Sequence, residues 1–132
     1  RRGIELAGKK LQKIEVDDKD YYMTPGLGKV KPTGKAYLLP SFDEFHVAYR
    51  DRSASLEEAH AEHINPGANG MLSPIVVIDG QMIGTWKRVI KKDTVIITAK
   101  PFKKFTTSET SAITAAAEKY GKFLGLKAVL VK

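Results

Sequence analysis

Residues 71–101, MLSPIVVIDGQMIGTWKRVIKKDTVIITAKP, decide the fold. Ile75 to Ile78 is a short apolar run closed by Asp79-Gly80. That dipeptide is favoured in two-residue hairpin turns whose central residues both need positive φ. Gln81 to Ile90 runs back, Lys91-Lys92-Asp93 makes a second turn, and Thr94 to Ala99 is rich in β-branched residues suited to a pleated, half-buried surface. The spacing predicts three consecutive antiparallel strands. With Ile78 opposite Gln81 and Ile90 opposite Val95, alternation places Trp86, Arg88, Ile90, Val95, Ile97 and Ala99 on one face. That face is mostly apolar, holds the only Trp, and is expected to face the core with Arg88 near its rim. Pro74 sits at the start of the first strand, where no ladder hydrogen bond is required of it.

On the C-terminal side, Thr106-Thr107-Ser108-Glu109 has the spacing of a capping box, and a helix is expected to about Leu124. Ile113, Ala116, Ala117, Tyr120 and Leu124 form its apolar stripe, and Gly125 suits its end. Leu126 to Val131 reads as a final strand. On the N-terminal side, Ala36 to Pro40 reads as a short buried strand. Phe45, Val47 and Tyr49 alternate with His46 and Ala48, which favours a strand over 44–50. Ser55 with Glu58 predicts a capped helix over 55–64, ended by Asn65-Pro66-Gly67. Residues 24–35, TPGLGKVKPTGK, combine two Pro, three Gly and three Lys and form the linker candidate. Before them, residues 4–13 predict a short helix with Ile4, Ala7 and Leu11 on one side. Lys13 to Val16 and Tyr21 to Met23 predict a hairpin around an acidic turn. A helix running directly into a hairpin matches the closing half of a winged helix. The acidic turn Asp17-Asp18-Lys19-Asp20 makes a poor phosphate contact.

The expected class is therefore α+β: an antiparallel sheet or partly open β-barrel with two or three helices, preceded by a winged-helix remnant. The expected domains are 1–24, a linker over 25–35, and a β-rich domain over 36–132. The 132-residue length and 42% apolar content can sustain a core. No cysteine is present, which excludes disulfides and thiolate zinc sites and fits a cytoplasmic protein. No apolar run reaches membrane-spanning length, so no membrane partner is expected. The chain opens Arg1-Arg2-Gly3 rather than with Met, which suggests a piece of a longer protein.

The net charge of +7 is uneven. Residues 87–104 contain seven basic side chains and one acid, Asp93. Such a patch suits a phosphate backbone; it also suits a solvated lysine surface. Lys87, Arg88, Lys91 and Lys92 are the first candidate DNA phosphate contacts. Arg50 and Arg52 join them, because arginine offers a planar bidentate donor; the favoured other reading of Arg50-Asp51-Arg52 is a local salt-linked turn. His60-Ala61-Glu62-His63 is one residue short of either zinc-peptidase helix motif and reads as a polar helix face, with no metal site expected. Asp43 reads as a turn carboxylate accepting backbone N–H bonds; the alternatives are a carboxylate pair with Glu44 for acid–base work and a hydrolase site with His46. No nucleotide-binding loop, kinase set or nucleophile elbow occurs, and no cofactor is expected.

Several segments carry a resemblance in order: Leu38-Leu39-Pro40-Ser41-Phe42-Asp43-Glu44-Phe45, Tyr49-Arg50-Asp51-Arg52, Asn65-Pro66-Gly67 with Asn69-Gly70, Pro74 to Gly80, Ile83-Gly84-Thr85-Trp86-Lys87-Arg88, and Lys119-Tyr120 leading to Phe123-Leu124-Gly125. Together they resemble the C-terminal part of the winged helix DNA-binding domain-containing family, which includes the AlkZ/YcaQ-type bacterial DNA glycosylases. The resemblance spans roughly residues 36–125. It implies a parent with tandem winged helices followed by a β-barrel-like C-terminal domain. Its glycosylase members cleave the N-glycosidic bond of alkylated or crosslinked bases without a metal. Their signature is a Gln-aliphatic-Asp or Gln-aliphatic-Gln triplet. Gln12 is followed here by Lys13-Ile14 and Gln81 by Met82-Ile83, so no catalytic residue carries over. The implied role is a non-catalytic DNA-binding accessory domain of a DNA-repair protein. The implied partners are double-stranded DNA and the N-terminal winged helices of the same chain. The alternative is a structural packing or dimerisation module, with a homodimer as its partner.

Overall fold

The computed structural model describes residues 2–26, 28 and 30–131. Arg1, Leu27, Lys29 and Lys132 lie outside the described residues, and with Leu27 and Lys29 goes part of the expected linker. The chain divides into two compact units, residues 1–32 and 33–132.

The first unit holds α1 (Arg2–Ala7), a 3-10 turn (Gly8–Lys10), and a two-stranded sheet of β1 (Gln12–Val16) and β2 (Lys19–Met23). The helix is shorter than its periodicity suggests. Gly8 stands at φ 48°, outside the right-handed region, and ends it. The hairpin turn is two residues rather than four: Asp17 and Asp18 both take positive φ, and Val16 pairs with Lys19. Lys13 Nζ lies 2.8 Å from Asp20 and offsets part of the acidic charge at that end.

The second unit is a five-stranded sheet in the order β3 (Ala36–Leu39), β4 (Ile75–Ile78), β5 (Gln81–Lys91), β6 (Thr94–Pro101) and β7 (Lys127–Val131). The two hairpins form in the register read from the turns, with Ile78 opposite Gln81 and Ile90 opposite Val95. Asp79 and Gly80 take φ of 47° and 82°, as a type I′ turn requires. The Asp79 carboxylate also accepts the Thr33 N–H at 2.7 Å and the Gly34 N–H at 3.1 Å, which ties the entry to β3 onto this turn.

One strand departs from the antiparallel expectation. β7 pairs parallel to β6, with Thr94 opposite Lys127. The reason lies in α4 (Thr107–Leu124), which carries the chain back along the sheet before β7 begins, and a strand entered after such a crossover runs parallel. The capping box forms in full: the Glu109 N–H donates to Thr106 Oγ1 and the Thr106 N–H to Glu109 Oε2. Gly125 ends the helix at φ 67°. Because α4 packs against both edge strands, β3 and β7, the sheet curls round it as a half-barrel. Val76, Trp86, Val95, Ile97, Ala99, Ile113 and Ala117 form the core between helix and sheet. Trp86 Nε1 donates to the Leu39 carbonyl at 2.8 Å, and its ring meets Tyr120 edge-on.

Among the described residues, the outer side of the sheet is covered over β4 and the first half of β5. There Leu56 and Ile64 pack onto Ile75, Val77 and Met82, so β4 is buried on both faces. Two elements of this cover differ from expectation. Residues 44–50 are not a strand: Glu44–Val47 forms a four-residue helix, α2, capped by Asp43, whose Oδ1 accepts the Phe45 N–H at 3.0 Å. The capped helix end supplies backbone partners locally, and it turns His46 inward while Phe45, Val47 and Tyr49 stay exposed. Residues 55–64 are not one capped helix either. A 3-10 turn over Glu58–His60 precedes α3 (Ala61–Ile64), and Ser55 turns both its N–H and its hydroxyl onto the Arg52 carbonyl, so it does not cap.

Candidate nucleic-acid interface

Beyond Trp86, β5 leaves the covered part of the sheet. Its residues Lys87 to Lys91 are all exposed, whereas Met82, Gly84 and Trp86 are buried. Alternation then sorts the basic run. Lys87, Val89 and Lys91 lie on the outer face; Arg88 lies on the inner face with Trp86, its guanidinium carbon 5.4 Å from the Tyr120 ring centroid. Arg88 is therefore at the rim, as expected, but not beside Lys87 and Lys91. Lys92 occupies the β5–β6 turn at φ 49°.

Register extends the outer face across three strands. Lys87 opposes Thr98, Val89 opposes Ile96, Lys91 opposes Thr94, and Lys100 opposes Thr85. In the parallel pairing Thr94 opposes Lys127 and Ile96 opposes Val129. The result is an open face with Lys87, Lys91, Lys100 and Lys127 set around a short apolar stripe of Val89, Ile96 and Val129. No acidic residue occupies an outer-face position of β5, β6 or β7. The sequence run 87–104 included Lys100, and strand parity alone would have placed it here. Lys127 depends on the parallel pairing of β7, for which no local signal exists.

The arginines of the 50s part company. Arg50 is exposed on the bend after α2. Arg52 is half-buried, and its Nε donates to the His46 carbonyl at 2.6 Å. His46 is fully buried, and neither ring nitrogen has a hydrogen-bond partner among the described residues. Burial pushes the His46 imidazole below the usual histidine range, the Arg52 guanidinium pushes it further down, and Asp43 acts in the opposite sense. Beside them lies a cavity of about 390 Å³, walled by His46, Arg52, Leu56, Glu62, Asn65 and Leu72, among others.

His60 and His63 do not form a metal pair. His60 stacks on Phe102 with ring centroids 4.9 Å apart, and His63 meets the same ring edge-on. Among the described residues, no three His, Cys, Asp or Glu side chains are grouped to hold a metal ion. Nearby Glu57 pairs with Lys103 Nζ at 2.7 Å; the hydrogen bonds that ammonium donates, then its charge, hold the Glu57 carboxyl below its ordinary range. Among the described residues no helix is long and apolar enough to cross a membrane.

Fold and face together define an α+β module that presents lysines on an open sheet surface. The family described as DNA glycosylase AlkZ-like matches residues 1–123, and the chain belongs to that DNA-repair family. Among solved structures, the chain is similar to the Streptomyces sahachiroi DNA glycosylase AlkZ, with a TM-score of 0.71 and 20% sequence identity over 99% of this chain. At that identity the likeness is one of fold. The chain spans 36% of the length of that structure. No curated protein matches the chain.

Proposed function

We propose that this chain is the non-catalytic, DNA-contacting C-terminal part of a bacterial winged-helix DNA-repair protein. It holds duplex DNA while other residues of a longer parent act on alkylated or crosslinked bases, without a metal. In this reading α1 with β1 and β2 is the end of the last winged helix, residues 25–35 are the linker, and 36–132 are the accessory domain. Family membership supports it. The observation that carries it is the acid-free outer face with Lys87, Lys91, Lys100 and Lys127, since clustered lysines supply the sequence-independent part of DNA affinity. Lys92 and Arg50, both exposed, extend the contact.

The test is a titration of the chain against duplex DNA at about 50 to 200 mM salt, where each neutralised phosphate contributes about −0.9 to the slope of log K against log salt. Replacing Lys87, Lys91, Lys100 and Lys127 by Ala is expected to weaken binding and flatten that slope. A flat slope in the parent chain, or a quadruple variant that binds as well as the parent, sinks the proposal.

The apolar stripe favours a second reading. Val89 and Val129 are 48% and 39% exposed at the middle of the face, which also suits packing against a neighbouring domain or a second copy. Dimers on a sizing column that dissociate in Val89→Lys, together with weak DNA binding, would select it.

A further inference from the structure

We infer that the groove between β3 and α4 is a docking site for an extended acidic peptide, which adds a strand to the free edge of β3. This goes beyond the DNA-holding role and uses none of the four sheet-face lysines. β3 stands at the end of the sheet order and is bonded to β4 alone. Alternate residues of such a strand direct their N–H and C=O groups away from the sheet. Among the described residues, no hydrogen bond from outside the ladder reaches the backbone of Ala36, Tyr37 or Leu38. Beside that edge runs a groove of about 640 Å³. Residues 34–38 form one wall, and Ala112, Ala115, Ala116, Lys119, Tyr120 and Phe123 form the other. The strand wall is a run of consecutive residues. One face of a strand would contribute alternate residues only, so β3 meets the groove with its edge.

The helix wall leaves room for a strand. Its residues follow the helical period along one face of α4, and Ala112, Ala115 and Ala116 carry nothing beyond Cβ. From residue 112 to 123 this wall is about 16 Å long, at about 1.5 Å per residue. From 34 to 38 the strand wall is about 13 Å long, the reach of about four or five residues of extended chain. Charge selects the occupant. The charged side chains of the walls are Lys35 on the strand side and Lys119 on the helix side, both exposed. Among the described residues no acid lines the groove, and neither ammonium stands in an ion pair. A second copy of this edge would bring the same lysines together, and lysine beside an edge strand opposes self-pairing. A peptide with carboxylates meets complementary charge on both walls instead. Tyr37 and Phe123 are 52% and 83% exposed and offer apolar surface to its other side chains. In strand addition, main-chain hydrogen bonds supply affinity and alternate side chains supply specificity. The matching occupant is therefore an extended segment in which carboxylates alternate with apolar residues.

The experiment follows the backbone amides of the full chain by NMR while the peptide acetyl-Glu-Val-Glu-Val-Glu-amide is added. A saturable shift of residues 34–38 and 112–123, with a Kd below about 1 mM, is expected. The basic analogue acetyl-Lys-Val-Lys-Val-Lys-amide is expected to leave them unmoved. Two further analogues carry N-methyl groups, one on its Glu residues and the other on its Val residues. Only one of these two sets of N–H groups faces β3. One analogue is therefore expected to bind about tenfold or more weakly, and the other like the unmodified peptide. Ala115→Trp fills the groove from an exposed position of α4 and is expected to abolish binding without altering the thermal melt. Lys35→Glu combined with Lys119→Glu, both exposed, is expected to reverse the preference between acidic and basic peptides. Groove amides unmoved by the acidic peptide at about 10 mM, well above a millimolar Kd, overturn the inference. So do equal affinities of the two N-methyl analogues, or equal binding of the acidic and basic peptides. Shifts of the same amides when the chain alone is concentrated would make the occupant a second copy, and shifts with duplex DNA would make it a nucleic acid; either result also overturns the inference.

Discussion

Gly84→Ala sets two physical effects against each other, and the structure decides the sign. Gly84 lies within β5, opposite Val76 and Pro101, and its φ is not positive. Backbone preference therefore favours alanine: at a compatible position, Gly→Ala stabilises by about 0.4–1 kcal/mol through the unfolded chain. The space does not. A Cβ on Gly84 would stand 2.5 Å from the Lys100 carbonyl oxygen, 3.2 Å from its carbon and 3.2 Å from Phe105 Cζ. Phenylalanine can swing away, but the Lys100 carbonyl is backbone in the adjacent strand, so relief requires β6 to move. Neighbouring residues resist that movement: the Phe102 N–H donates to the Ile83 carbonyl at 3.0 Å and the Trp86 N–H to Pro74 at 3.0 Å. Overpacking of this kind costs about 1–3 kcal/mol, which exceeds the entropic gain. The expected result is net destabilisation of about 0.5–2.5 kcal/mol. Urea unfolding followed by the fluorescence of Trp86 measures it, because that residue is the only Trp and is 7% exposed in the same core. The midpoint should fall at constant m-value. A variant as stable as the parent, or more stable, would refute the close-approach argument and the register that creates it.

Two further outcomes follow from local chemistry. Thr106→Ala removes the acceptor for the Glu109 N–H and breaks the reciprocal cap of α4, which should lower stability by about 1 kcal/mol in the same urea assay; an unchanged midpoint would show that the cap is redundant. The chain should lose stability as pH falls below about 6.5. Below that pH the unfolded His46 binds a proton, while the folded imidazole, depressed first by burial and then by Arg52, stays neutral until its lower pKa is reached. His46→Gln should remove this portion of the pH dependence, and an identical profile in parent and variant would count against it.

Elements set by short-range rules were legible in the sequence. Asp79-Gly80 fixes the first hairpin through its backbone conformation, and Thr106 with Glu109 fixes the start of α4 through two reciprocal hydrogen bonds. Where two local rules compete, sequence reading took the wrong one. Around His46 the alternation of Phe45, Val47 and Tyr49 is real, yet those apolar side chains are exposed and the histidine is inside. Asp43 decides this by capping a helical turn, which overrides the two-residue period. At Ser55, spacing to Glu58 satisfies the pattern of a capping box, but the hydroxyl is committed to Arg52. The partners that settle both cases lie in the fold around a short segment, not in its periodicity. The hydrogen bond from Arg52 to the His46 carbonyl was invisible for the same reason, since it forms only through the packing of the cover.

The change in β5 at Trp86 explains why one sheet carries both a core and an open charged face. Met82 to Trp86 lies between the core against α4 and the cover formed by Leu56 and Ile64, and its residues are small or apolar on both sides. From Lys87 onward neither layer reaches the strand's full width, and a strand with two solvated faces gains little from apolar burial. The composition changes at the same residue, from Gln-Met-Ile-Gly-Thr-Trp to Lys-Arg-Val-Ile-Lys-Lys. β6 does not change with it: Val95, Ile97 and Ala99 stay buried against α4 throughout. The hairpin is thus anchored through β6 while β5 and the β5–β6 turn are free to hold charge. Lysines there do not require a buried partner and do not weaken the core, because the strand that bears them contributes little to it beyond Trp86. Placing an acid at Val89, as in Val89→Glu, would leave the inner core intact and change the potential of the face at its centre. Such a variant separates loss of charge from loss of fold. Unaltered urea stability with weakened duplex binding is the expected pair of results, and a matched loss of both would show that the outer face is structural.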